Sequence, residues 1–125
     1  MASAVVFAYS QVGVRCLAVL LAHAVDVALV VSHEDDPGEN RWFDSVARLA
    51  EVHGIETIKP SSARDADLAA KIAAIAPDFI FSFYYRLLLP PTLLCLARRG
   101  AYNMHGSLLP RYRGRAPVNW AVLHG

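Results

Sequence analysis

The sequence contains few cysteines and little net charge, and both shortages exclude classes of protein. Only two of its 125 residues are cysteine, Cys16 and Cys95, and neither belongs to a CxxC pair. This pattern is typical of reduced thiols in a cytosolic chain rather than of a disulfide scaffold. The formal net charge of +1 argues against binding nucleic acid or a membrane through bulk electrostatics. No spacing of His, Cys, Asp and Glu resembles a zinc or iron site, so we expect no metal.

We interpret the sequence as having no signal peptide, and it contains no long uninterrupted hydrophobic run. The N-terminus MASAVVFAYS has no cationic region of the kind that opens a signal peptide. The longest apolar stretch, residues 16–31, is interrupted by His23 and Asp26, whereas a membrane span needs about 20 mostly apolar residues. We therefore expect a cytoplasmic protein without membrane insertion, and we interpret the stretch as a helix followed by a strand.

Apolar residues are abundant, at 55% of the sequence, and they alternate between strand-like and helix-like segments. Short β-branched and aromatic runs predict strands at 4–9, 26–32, 55–58, 78–83 and 101–105. Apolar residues at helical spacing, with Gly and Pro as stop signals, predict helices at 14–24, 42–54, 63–76, 90–98 and 116–125. Such alternation is the signature of parallel βαβ units. The predicted fold class is therefore α/β, a Rossmann-like parallel sheet with helices on both faces, in one domain over residues 1–125.

The polar chemistry is concentrated near the end of the sequence, in YNMHGSLLPRYRGRAP at residues 102–117. This segment follows the fifth predicted strand, and parallel sheets bind ligands at the carboxyl ends of their strands. Asn103 and His105 share strand parity, so their side chains would point to the same face. An Asn amide can donate to a developing oxyanion, and a His can transfer protons near neutral pH. The pair suits acyl transfer through a tetrahedral intermediate, although the same spacing also fits a purely structural pair.

Other loops at predicted strand ends carry weaker signals. YSQVG, after the first strand, lacks the G-x-G-x-x-G fingerprint, so it gives no support for NAD or FAD binding. In YYRLLLPP, after the fourth strand, Tyr84 and Tyr85 fit a structural role as well as a pocket role. Arg86 would anchor that loop or meet an anion. His33 follows the second strand and would lie near the substrate side.

The segment from Asn103 to Pro117 resembles the active-site signature of the folate-dependent formyltransferases. That signature has an Asn, a His two residues later, Ser-Leu-Leu-Pro and then Gly-x-x-Pro, and this sequence contains every one of these elements. The resemblance covers the whole chain. The stretches VVFAYSQVG, HEDDPGEN, SVARLAEVHGI and PDFIFSFYYR look most like the aminoarabinose branch. That branch is the formyltransferase half of the bifunctional polymyxin-resistance enzyme, which formylates UDP-4-amino-4-deoxy-L-arabinose for lipid A modification.

The resemblance implies a donor, an acceptor and the residues that serve them. The formyl group would come from 10-formyltetrahydrofolate, and a UDP-amino sugar would supply the attacking amine. Asn103 would stabilise the oxyanion, and His105 would donate and shuttle the proton. The donor would lie against the loop after the fourth strand, largely through backbone groups that match those of a pterin. The residues implied in the folate site are Leu87, Leu88, Leu89 and Arg115.

One element of the family's pattern is absent from the sequence. In the family, an Asp about 35 residues beyond the His raises the pKa of that His by charge attraction. The Asp residues here all precede the motif. We therefore expect an N-terminal fragment or a truncated product of the family's catalytic domain, incomplete at its C-terminal end.

Three functions stay open on the sequence. The first is formylation of a UDP-amino sugar. The second is a methionyl-tRNA formyltransferase, which the net charge of +1 disfavours because an RNA substrate needs a basic face. The third is an inactive remnant that binds folate or nothing. The sequence does not determine the oligomeric state.

Overall fold

The computed structural model describes residues 2–34 and 45–104, which form a five-stranded parallel sheet with helices on both faces. The strands are β1 (Ser3–Ala8), β2 (Asp26–Val31), β3 (Thr57–Ile58), β4 (Phe79–Phe83) and β5 (Gly100–Met104). The helices are α1 (Ser10–Ala22), α2 (Val46–Val52), α3 (Ala66–Ile75) and α4 (Pro91–Leu94). The predicted α/β class and the predicted alternation of strands and helices are confirmed over these residues.

The strand order is β3-β2-β1-β4-β5. The chain therefore moves outward from β1 to β3 and then returns to place β4 on the other side of β1. Helices α1 and α2 pack on one face of the sheet, and α3 and α4 pack on the other. Right-handed crossovers require this change of face when the direction of travel reverses. We call the two sides the α1/α2 face and the α3/α4 face.

Each face of the sheet has its own hydrophobic core because strand residues alternate between the faces. On the α1/α2 face, Val6 of β1 packs in the same cluster as Leu17 of α1. On the α3/α4 face, Phe7 of β1 belongs to one cluster with Ile72 of α3 and Leu93 of α4. Both faces of β1 are fully buried, as expected for the central strand of a sheet that helices cover on both sides.

A bulge in β2 changes which face its residues occupy. Ala4 of β1 pairs with Val27, but Val5 pairs with Leu29, so the pairing skips Ala28. A single extra residue inverts the alternation beyond it. Val27 accordingly lies in the core of the α1/α2 face, while Leu29 lies in the core of the α3/α4 face.

The first helix begins earlier than predicted, because Gly13 lies inside its first turn rather than before it. The Gly13 N–H donates to the Tyr9 carbonyl at 3.1 Å. A Cβ at this position would lie 3.2 Å from the Ala8 Cβ and 3.3 Å from the Val46 Cγ2. The missing side chain therefore lets α1 approach β1 and α2 closely.

Local capping fixes the ends of α3. The Asp65 Oδ1 accepts hydrogen bonds from the backbone N–H groups of Asp67 at 2.7 Å and Leu68 at 3.3 Å, which is N-cap geometry. The helix therefore begins at Ala66 rather than at 63. It ends at Ile75, and Ala76 takes a left-handed φ of 50° before Pro77, which cannot continue a helix.

The fourth helix was predicted over residues 90–98, but it ends at Leu94. The reason lies in the next strand pair. The N–H groups of Arg98 and Arg99 donate to the carbonyls of Pro77 and Asp78 at 2.9 and 2.7 Å. Through these bonds Arg98 and Arg99 pair with the residues just before β4. Their N–H groups are then not available for hydrogen bonds that would extend the helix.

Some predicted features lie outside the described residues. They include the helix at 116–125, residue 105 of the fifth strand, and residues 42–44 of the second predicted helix. No helix of the described ranges combines the length and the hydropathy that a membrane span requires.

Candidate active site

The candidate site lies at the carboxyl edge of the sheet, at the ends of the neighbouring strands β1 and β4. Strand order reverses direction between these two strands, and open α/β sheets bind ligands where such a reversal occurs. Main-chain pairing continues one residue past each strand there. The Tyr9 N–H donates to the Phe83 carbonyl at 3.2 Å, and the Tyr84 N–H donates to the Met104 carbonyl at 3.3 Å. The loops after β1 and β4 therefore leave the sheet side by side.

The backbone is strained just beyond both strands, at the first residue of α1 and at the first residue of the loop after β4. Ser10 has a φ of 68° and Tyr84 has a φ of 59°, values that side chains with a Cβ seldom adopt. Each such residue costs about 1–3 kcal/mol and persists only where its surroundings hold it. The Ser10 Oγ is also buried without a hydrogen-bond partner among the described residues. The residues packed around this edge therefore have to hold both conformations in place.

Asn103 lies one residue before the end of β5, at this same edge. It is half-buried and pairs with Ser82 of β4. The preceding residue, Tyr102, contacts the rings of Phe79 and Phe81 on the α1/α2 face. By strand alternation, Asn103 therefore projects on the α3/α4 face, the side that carries the loop after β4.

The other two polar residues of the predicted site, His105 and Arg115, lie outside the described residues. The pairing of Asn103 with His105 therefore stays a prediction. So does the assignment of Arg115 to the folate site.

The structure gives the three leucines of the predicted folate loop different environments. Leu89 is buried in the core of the α3/α4 face, and Leu87 is partly buried against the same core. The Leu88 side chain is 84% exposed. Leu87 and Leu89 therefore anchor the loop, and Leu88 is the leucine whose side chain is presented to solvent.

An aromatic cluster, composed of Phe7, Tyr9, His33, Tyr85 and Arg86, joins three strand ends. The His33 ring stacks on Tyr85 with centroids 4.1 Å apart and lies edge-on to Tyr9 at 5.2 Å. Tyr85 in turn meets Phe7 edge-on at 5.2 Å. The Arg86 guanidinium lies 4.7 Å from the centre of the Tyr9 ring. We call this group the His33 cluster.

A hydrogen bond also ties the loop after β4 to the end of β2. The Arg86 backbone N–H donates to the His33 Nε2 at 2.8 Å, across 53 positions of sequence. Next to His33, the Ser32 Oγ donates to the Ala8 carbonyl at 2.8 Å. The ends of β2, β1 and β4 are thus connected at one place by side-chain hydrogen bonds and ring contacts.

Burial shifts the ionisation of two groups in the cluster. It lowers the pKa of His33, and the nearby Arg86 charge lowers it further. Burial also raises the pKa of the Tyr85 phenol to about 12. The Tyr85 hydroxyl is buried without a hydrogen-bond partner within the described part of the chain. Near neutral pH the cluster therefore contains a neutral imidazole and a neutral phenol.

Sequence reasoning placed His33 near the substrate side but missed its contacts. A bond between residues that are 53 positions apart leaves no periodic signal. A usable clue was the run Tyr84-Tyr85-Arg86 at a strand end, which needs partners for its rings. Residues 2–34 and 45–104 contain no group of three or more His, Cys, Asp or Glu side chains arranged to hold a metal ion.

A family model described as formyl transferase matches residues 10–125. The chain belongs to this formyl transferase family. The match includes the loop after β4, Asn103 and the segment that contains His105 and Arg115.

Two solved structures are similar to this formyl transferase chain. Glycinamide ribonucleotide transformylase 1 from Geobacillus kaustophilus is 27% identical, with a TM-score of 0.64. That alignment covers 100% of this chain and 69% of the other. Glycinamide ribonucleotide transformylase 1 from Symbiobacterium toebii is 22% identical, with a TM-score of 0.63. This second alignment covers 90% of this chain but only 55% of the other, and it supports the fold alone.

Proposed function

We propose that the chain transfers a formyl group from 10-formyltetrahydrofolate to the amine of a UDP-amino sugar, UDP-4-amino-4-deoxy-L-arabinose. Family membership supports formyl transfer from a folate-type donor. The main structural support for formyl transfer is the position of Asn103. It lies at the carboxyl edge, on the side of the loop after β4. The sequence resemblance to the aminoarabinose branch supports the acceptor. The reaction would then serve lipid A modification and polymyxin resistance, in the cytoplasm.

The loop after β4 fits the donor. Its ends are fixed by the His33 cluster on one side and by the buried Leu89 on the other. The backbone between them can therefore present its N–H and C=O groups in a constant geometry to a pterin, which needs several donors and acceptors. The exposed Leu88 side chain would cover an apolar part of the donor. Arg115 would complete this folate site.

The chemistry needs an oxyanion donor and a proton carrier. The acceptor amine attacks the formyl carbon, and the carbonyl oxygen gains negative charge, which the Asn103 amide would stabilise. A new N–C bond forms, and the bond from the formyl carbon to N10 of the donor breaks. His105 would move the proton from the attacking amine to N10. The products are the formylated amine and tetrahydrofolate.

A second acceptor, glycinamide ribonucleotide, also has support. The two similar solved structures are both glycinamide ribonucleotide transformylases. Both candidate acceptors carry a primary amine and phosphate groups, so the reaction at Asn103 would be the same. They differ in whether the pocket has to accept a uracil base.

The decisive test is an acceptor panel with the purified 125-residue chain and 10-formyltetrahydrofolate. UDP-4-amino-4-deoxy-L-arabinose, glycinamide ribonucleotide and methionyl-tRNA are supplied in separate reactions, and the formylated products are measured by mass spectrometry. Formylation of the UDP-sugar alone supports the first proposal, and formylation of glycinamide ribonucleotide alone supports the second. A chain that formylates none of them but binds 5-formyltetrahydrofolate in calorimetry contradicts both proposals and supports the inactive remnant.

Replacement of Leu88 by Ser should weaken donor binding without changing stability. The side chain is 84% exposed, so its removal costs little packing in the free protein. Loss of its apolar contact with bound donor should raise the dissociation constant about three- to tenfold. Calorimetry with 5-formyltetrahydrofolate measures this change.

The matched control is Val52→Ser. Val52 is also an exposed hydrophobic residue, at 68%, but it ends α2, away from the loop after β4. Its replacement should leave donor affinity unchanged. Equal effects of the two substitutions, or none from Leu88→Ser, would contradict the assignment of Leu88 to the donor site.

A further inference from the structure

We infer that His33 is a positioning residue that holds the donor-binding loop in place while its imidazole is neutral. The inference rests on the proposed function, because it assigns the loop after β4 to the formyl donor. His33 comes from the end of β2, on the far side of β1 from that loop. It therefore acts on the donor through Arg86 and Tyr85.

The hydrogen bond fixes the protonation state of His33. The Nε2 accepts the Arg86 N–H at 2.8 Å, and an imidazole nitrogen accepts only when it carries no proton. The ring is thus the neutral tautomer with its proton on Nδ1. Stacking on Tyr85 at 4.1 Å, with an interplanar angle of 13°, fixes the plane in which Nε2 points.

The loop depends on the hydrogen bond between Arg86 and His33 because its first residue is strained. Tyr84 is held at a φ of 59°. Two hydrogen bonds follow in order along the loop, from the Tyr84 N–H to the Met104 carbonyl and from the Arg86 N–H to His33. The Leu87–Leu89 segment begins at the next residue. Release of the Arg86 N–H would free the segment from that end.

Protonation of His33 would break its hydrogen bond with the Arg86 N–H. A protonated Nε2 is a donor and would face the Arg86 N–H, which is also a donor. Among the described residues, the titratable and charged groups around His33 are Tyr9 at the end of β1, Tyr85 and Arg86 in the loop, and its neighbour Glu34. Glu34 is exposed and lies 4.0 Å from Lys59, which follows β3. The Arg86 charge opposes a second positive charge on His33, whereas the screened Glu34 carboxylate offers it little compensation.

The sign of the pH dependence follows from this arrangement. The pKa of His33 in the folded chain lies below its ordinary value of 6.5. The folded state therefore binds fewer protons on this group than the unfolded state does as the pH falls through that region. Stability and loop order are fully present above pH 6.5 and decrease as the pH falls toward the lowered pKa.

The test compares two variants of His33, one that keeps a hydrogen-bond acceptor and one that keeps only an aromatic ring. His33→Gln keeps a hydrogen-bond acceptor, the amide oxygen, but does not titrate. His33→Phe keeps a ring for stacking but has no acceptor. Two quantities are measured at about pH 8 and about pH 5.5. They are the affinity for 5-formyltetrahydrofolate by calorimetry and the hydrogen-exchange rate of the Arg86 amide by NMR.

We expect wild-type donor affinity to fall from the higher to the lower pH, with a total loss of about three- to tenfold once His33 is fully protonated. His33→Gln should lose most of this pH dependence. His33→Phe should bind the donor weakly at both pH values, and its Arg86 amide should exchange about two- to tenfold faster than in wild type at the higher pH. A residue that merely fills space would not separate the Gln and Phe variants in this way.

Two outcomes would overturn the inference, and they have different meanings. Donor affinity of His33→Phe within twofold of wild type, or an unchanged pH dependence in His33→Gln, would remove the role of His33 alone. Absence of donor binding in every form, with Arg86 exchange still responding to His33, would instead overturn the proposed function and the donor role of the loop with it.

Discussion

Replacement of Asn103 by Ala should lower kcat for formyl transfer about 10²–10³-fold, the usual loss when one oxyanion donor is removed. In the proposed mechanism the amide would contact an oxygen whose charge develops only in the transition state, so donor affinity should change little. Asn103 is half-buried at the end of a strand, and the unfolding free energy should change by less than about 0.5 kcal/mol. Single-turnover kinetics, calorimetry with 5-formyltetrahydrofolate and urea unfolding measure the three quantities.

The control for this substitution is Tyr102→Phe. Tyr102 is the neighbouring residue of β5, and its ring contacts Phe79 and Phe81 on the opposite face of the sheet. Removal of its hydroxyl leaves these ring contacts in place, so formyl transfer should continue at the wild-type rate. A kcat for Asn103→Ala within threefold of wild type would show that the amide does not face the reacting carbonyl.

Replacement of Phe7 by Ala should have the largest effect on stability, about 3–5 kcal/mol. Phe7 is fully buried in the core of the α3/α4 face. It also supports Tyr85 through an edge-on contact at 5.2 Å, and such a pair adds about 0.5–1.5 kcal/mol beyond its burial. Domains of ordinary stability have only about 5–15 kcal/mol in total, so the variant should approach the limit of folding. Urea unfolding followed by circular dichroism measures the loss.

Phe7→Leu keeps this prediction testable if the Ala variant does not fold. Leu fills most of the space but lacks the ring edge, and the expected loss is about 1–2 kcal/mol. Phe81→Ala serves as the comparison, because Phe81 is only partly buried and packs against the other core. Its loss should be clearly smaller than that of Phe7→Ala. Equal losses would mean that Phe7 does not have the central role that its burial indicates.

The fold was largely readable from the sequence, because its signals are local. The strand positions follow from short apolar runs, and the parallel class follows from their alternation with helices. Two of the errors arose where another part of the chain decides the outcome, whereas the late start of α3 follows from the local cap at Asp65. The fourth helix is short because Arg98 and Arg99 pair with the residues that precede β4. The first helix also includes Gly13, because a residue without a side chain fits there close to Ala8 and Val46.

The candidate site was predictable in part, and for a different reason. Asn103 was proposed from a contiguous motif, and its place at the carboxyl edge follows from the sheet. The role of His33 was not readable, because it depends on the order of β2, β1 and β4 and on a contact with Arg86. The sequence also did not predict that Leu89 is buried and Leu87 partly buried while Leu88 is exposed. Three identical residues in a row do not indicate which one faces solvent.

The skipped residue in β2 has a consequence at the opposite end of that strand. Successive side chains of a strand point to opposite faces of the sheet. The unpaired Ala28 adds one residue before Leu29, so the faces are exchanged from Leu29 onward. Val31 and the imidazole at position 33 therefore share the side of Phe7 and Tyr85. With an uninterrupted ladder from Val27 onward, the imidazole would occupy the side of α1, out of reach of the Arg86 amide. One unpaired alanine near the start of β2 thus decides the partner of a histidine five positions later.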